Sequence, residues 1–78
     1  MDINIVKYEQ RKKYPYGEYF IEVREIRPCT YRWVIFNQAL EIQRRSHIKT
    51  TFDTANLAHA AAVKVIDLGL RRNSRLQL

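Results

Sequence analysis

Phe52-Asp53-Thr54-Ala55-Asn56-Leu57-Ala58-His59-Ala60-Ala61-Ala62-Val63-Lys64-Val65-Ile66-Asp67-Leu68-Gly69-Leu70 is the one stretch of this 78-residue chain that reads clearly as a helix. Leu57, Ala61, Val65 and Leu68 recur at the spacing of one helical face, and Ala58, Ala62 and Ile66 widen it. Alanine has the best helix propensity, and its small side chain lets a helix lie close on a flat surface such as a sheet. Asp53 or Thr54 can act as N-cap, since either side-chain oxygen accepts from an orphan backbone N–H of the first turn. A cap at Asp53 sets Phe52 and Leu57 at the spacing of a hydrophobic staple. Gly69 suits the left-handed position that closes a helix, and Arg71 and Arg72 fall where the helix dipole favours cations. His59 lies off the Leu57–Ala61–Val65 line and reads as a surface histidine, while Lys64 and Asp67 read as solvated positions.

Everything before this helix reads as short strands that need a surface to pack on. Glu18 to Ile26 alternates, with Tyr19, Ile21 and Val23 on one side and Phe20, Glu22 and Arg24 on the other. Arg27-Pro28-Cys29 makes a turn, and Tyr31 to Phe36 forms a second strand rich in aromatic and β-branched residues. This three-residue turn pairs Val23 with Trp33 and Ile21 with Ile35. A two-residue turn at Asn37-Gln38 then leads into a third strand from Ala39 to about Thr50, pairing Ile35 with Leu40 and Trp33 with Ile42. The two turns agree that Trp33, Ile35, Leu40 and Ile42 share a buried face, which Ile48 and Phe52 can join. The opposite face carries Phe20, Glu22, Arg24, Arg32, Val34, Phe36, Glu41, Gln43 and Arg45.

Upstream, Asp2 to Glu9 alternates weakly and can add a fourth strand. The basic cluster Arg11-Lys12-Lys13 follows, then Tyr14-Pro15-Tyr16-Gly17, where Pro15 and Gly17 mark a turn or loop. Tyr14 and Tyr16 either pack on the sheet edge or stack on bases. The expected fold is α+β: a three-stranded antiparallel sheet, four-stranded if the N-terminal segment joins, with one C-terminal helix on one face. Residues 1–78 form a single small domain, with 1–17 as an N-terminal strand and basic loop and 71–78 as a flexible basic tail.

Fourteen Lys and Arg against eight Asp and Glu give a net charge of +6, a balance that favours an anionic partner. Cys29 is the only cysteine, so no intramolecular disulfide forms, and an inert loop thiol is expected. No apolar run is long enough to span a bilayer and no signal-peptide pattern opens the chain, which predicts a soluble cytoplasmic protein with no membrane partner. His47 and His59 come with no carboxylate pair, metal-ligand spacing or glycine-rich phosphate loop. No enzyme, cofactor or metal is therefore expected.

Strand, strand, strand, helix, with Val23-Arg24 on the first strand, Trp33-Val34 on the second and Thr51-Phe52-Asp53-Thr54 entering the helix, resembles the AP2-like DNA-binding domain over about residues 19–70. That domain occurs in plant transcription factors and at the N-terminus of some phage and transposon integrases. The resemblance implies binding of the DNA major groove by the sheet face away from the helix. It matches Arg24 position by position, and places Arg32, Arg45 and Lys49 on suitable strands. Glu22 stands where the family has glycine, and Ile48-Lys49-Thr50 replaces its tryptophan-leucine-glycine. The later part of a double-stranded-RNA-binding domain is similar too, but that family needs an opening helix and lysines where Asp53, Thr54 and Asn56 stand.

Two functions follow. The first is a small nucleic-acid-binding module, for duplex DNA before RNA, using Arg24, Arg32, Arg45 and Lys49, flanked by Arg11, Lys12, Lys13 and the Arg71–Arg75 tail. The second is a protein-interaction module, such as a phage or bacterial accessory protein that caps a partner or dimerises. Phe20, Val34 and Phe36 would form its apolar centre, with arginines and glutamates as its rim.

Overall fold

The computed structural model of the chain describes residues 12–70; Arg11, the segment Asp2 to Glu9 and the tail from Arg71 onward lie outside the described residues. Four antiparallel strands form one sheet in the order of the chain: β1 Lys13–Tyr16, β2 Tyr19–Arg27, β3 Thr30–Phe36 and β4 Ile42–Arg45. Helix α1, Ala55–Val65, lies across one face and runs on into a π-helical turn, Ile66–Leu70. The fold is α+β, and the fourth described strand is Lys13–Tyr16, where the sequence suggested a loop. Pro15 is tolerated because β1 is an edge strand, where a missing N–H costs no ladder bond. Gly17, at φ +62°, makes the tight turn that pairs Tyr16 with Tyr19.

The β2–β3 pairing is the one expected, with Val23 opposite Trp33 and Ile21 opposite Ile35. Pro28 and Cys29 form the turn, Cys29 at φ 60°, and Ile26 is left out of register as a bulge. The β3–β4 pairing differs. The connection is a three-residue loop closed by Leu40 N–H donating to the Asn37 carbonyl, with Leu40 in the left-handed region at φ 65°. Phe36 therefore opposes Ile42, Ile35 opposes Arg44 and Val34 opposes Arg45. Leu40, Ile42 and Ile48 are exposed and do not belong to the core. Glu41 stays in the loop, its backbone and carboxylate both bonded to the Asn37 side chain, and Gln43 falls at the register shift.

The core is Ile21, Val23, Trp33, Ile35, Ala58, Ala62 and Ile66, with Phe52, Tyr16, Tyr19 and Tyr31 packed around it. The buried line of the helix is thus Ala58–Ala62–Ile66, expected only to widen the face; Ala61 and Val65 pack at its margin, while Leu57 and Leu68 are 54% and 61% exposed. Close approach to the sheet selects the alanines; leucines on that line would hold the helix away. Thr54 is the N-cap, its Oγ1 accepting from Leu57 N–H at 3.1 Å, so the staple spacing does not arise and Phe52 packs on the core instead. Gly69 lies in the π turn without a positive φ, so it is no left-handed cap. Asp67 is half-buried and accepts from Tyr16 O–H at 2.9 and 3.0 Å, which ties the helix end to the β1–β2 hairpin. No helix among the described residues is long and apolar enough to cross a membrane.

Candidate nucleic-acid interface

Strand alternation sends Lys13, Phe20, Glu22, Arg24, Arg32, Val34, Phe36, Ile42 and Arg45 to the face away from the helix. Arg24 and Arg32 are direct cross-strand partners, and Arg45 is paired with Val34 on the next strand. Three neighbouring strands therefore bring three guanidinium groups to one region. After β4 the chain leaves the ladder. Ser46 Oγ and N–H stay bonded to the Trp33 backbone, a turn closes from His47 to Thr50, and the backbone returns where Phe52 pairs with Tyr31 at 2.8 and 2.9 Å. The excursion raises His47 and Ile48 beside the arginines.

The result is a cleft of about 330 Å³ whose lining includes Arg24, Arg32, Arg45, Ile26, His47 and Ile48. Arg32 is half-buried: its Nη2 donates to the Ile48 carbonyl at 2.8 Å, and its Nε is buried with no hydrogen-bond partner among the described residues. A guanidinium with one donor unmatched favours the approach of an anion, whose oxygens can accept from it.

Beside the cleft, Glu22 is 2% exposed and holds Arg24 through its Nε and Lys13 at 3.2 Å. Burial pushes its carboxyl pKa up, but the hydrogen bonds from Arg24 and Lys13, and their charges, outweigh this and hold it below the ordinary value of 4.5. Lys13 also stands 4.6 Å above the Phe36 ring, and Lys12 stands 5.1 Å from the Tyr14 ring. Phe36 and Val34 are 6% and 3% exposed and Phe20 is half-buried, so this apolar group is mostly covered.

The sequence-derived residues thus separate. Arg24, Arg32 and Arg45 converge. Lys12 and Lys13 stand on or beside β1, away from the cleft lining, and Lys49 lies in the turn, its N–H donated to His47 Nδ1 at 3.0 Å, and not on a strand. Arg11 and the Arg71–Arg75 tail lie outside the described residues. Tyr14 and Tyr16 face the helix; Tyr14 meets His59 edge-on at 6.3 Å, and burial lowers the His59 pKa below its ordinary value of 6.5. Ile26, His47 and Ile48 were missed, since only the β2 bulge and the turn after β4 bring them to the arginines. Comparison of the chain with protein-family models, with curated proteins and with solved structures gave no match.

Proposed function

We propose that this chain is a small nucleic-acid-binding module that uses the sheet face away from its helix, with duplex DNA as the first ligand to test. The observation that carries the reading is the convergence of Arg24, Arg32 and Arg45, from three adjacent strands, on one cleft. Glu22 is the one carboxylate of the described residues on that face, and it is engaged by Arg24 and Lys13. The net charge of +6 gives the whole chain the long-range attraction that such binding uses. The resemblance to AP2-like domains points to the same face, with Arg24 at the matching position and Trp33 left to the core. The protein-interaction alternative is less supported, because Val34 and Phe36 offer little surface for an apolar centre.

Fluorescence anisotropy with a labelled duplex, a duplex RNA and a single strand tests this. Three phosphate contacts predict a loss of about 40-fold in affinity between about 50 and 200 mM salt. Arg24→Ala with Arg45→Ala should leave one such contact and reduce that loss to about fourfold. Unchanged affinity and salt dependence in the double variant would remove this face from consideration.

A further inference from the structure

Resting on that reading, we propose that the cleft holds one unpaired nucleotide, its phosphate among Arg24, Arg32 and Arg45 and its base against Ile26 and Ile48. Size is the first ground. At about 330 Å³ the cleft stands at the small end of ligand sites, which run from roughly 300 to 1,000 Å³. A nucleotide enters such a space, whereas a double helix can only lie over its mouth.

The second ground is how the cations are held. Arg24 is drawn back onto Glu22 and Arg32 onto the Ile48 carbonyl. Glu22 fixes the Arg24 Nε while 43% of that side chain stays exposed, so its guanidinium is positioned yet open to an anion. Arg32 Nε, buried and without an acceptor, gains one if the guanidinium shifts slightly toward a bound oxyanion.

The third ground is the apolar lip. Ile26 is the bulge residue of β2 and Ile48 lies within the turn after β4; they are 47% and 68% exposed, and both line the cleft. Bulges re-aim side chains, and these two are aimed at solvent next to cations. A site for phosphate alone has no use for them. The face of an unstacked base does, since an extruded base packs between apolar side chains and on guanidinium planes.

The test uses the full chain and three labelled DNAs: a blunt duplex, the same duplex with a three-nucleotide overhang, and that overhang made abasic so that its phosphates remain. The base-bearing overhang should bind several-fold tighter than the other two, a gain below that of a base stacked on an aromatic ring. Ile48→Ala and Ile26→Ala, both exposed, should abolish most of that gain, with the near-ultraviolet signal of Trp33 reporting an intact fold. Equal affinity for all three DNAs would overturn the unpaired nucleotide and leave nucleic-acid binding standing. No binding to any of them would overturn both readings. A phosphopeptide that displaces the overhang more effectively than a nucleoside monophosphate would assign the cleft to a phosphorylated protein instead.

Discussion

Glu22 shows how one residue sets the charge of the candidate face. Its neighbours by strand alternation, Phe20 and Arg24, and its cross-strand partner Val34 leave it little water. A carboxylate survives there because Lys13 and Arg24 reach it. Its folded pKa is depressed, so the stability it contributes is present above the ordinary value of 4.5 and is lost as pH falls through the lower native value. Glu22→Gln keeps the shape and removes the charge. It should cost about 1.5–3 kcal/mol at neutral pH, the scale of a hydrogen bond to a charged group, and should remove that part of the acid sensitivity. The same variant releases Lys13 and Arg24, so it should bind DNA more tightly and with a steeper salt dependence. Urea titrations at pH 7 and pH 3 measure the first effect and anisotropy the second; weaker DNA binding by the variant would contradict the role given to this face.

The helix and its apolar face were legible, but not which residues lie at the centre of that face. Leucine is more apolar than alanine, so spacing favoured the Leu57–Ala61–Val65 line, yet the sheet receives Ala58, Ala62 and Ile66. Spacing reports which residues share a face; distance of approach decides which face docks. Leu57→Gln should therefore change stability by no more than about 0.5 kcal/mol, as a surface substitution does. Ala62→Leu should cost about 1–3 kcal/mol, because extra methylenes have no room against the sheet. Thermal unfolding of the two variants checks this, and the opposite ranking would mean that the helix docks by its leucines. Between strands, the β2–β3 register was readable from the shared core; the turn itself is two residues, Pro28-Cys29, and not the expected three, and the Ile26 bulge restores the pairing. The β3–β4 register was not, since Leu40 takes a left-handed conformation that the sequence signals with neither glycine nor asparagine. Arg45 still faces the expected side, because the extra loop residue and the shift near Gln43 each reverse the alternation and together restore it.

At the scale of the molecule, the two faces of the sheet do different things. One buries the core under the helix, and the other gathers cations at a cleft bounded by the turn after β4. A ligand bound only by the folded state raises its stability by mass action. Free oligonucleotide at a hundred times its dissociation constant should stabilise the wild-type chain by about 2.7 kcal/mol. For a domain of this size that corresponds to a rise in Tm of roughly 10–20 °C. Arg24→Ala with Arg45→Ala should show little of this rise; an equal rise in both proteins would place the ligand elsewhere.

By itself the sequence determined the fold class, the central hairpin and the three arginines on one face, because these follow from periodicity, and periodicity is local. It showed no cleft. That depends on Ile26 leaving the β2 ladder, on the His47–Thr50 turn rising beside Arg32, and on Phe52 returning to pair with Tyr31. Each is a meeting of residues distant in the chain or a departure from regular pairing, and only the packed sheet and helix select among the conformations that local preference leaves open.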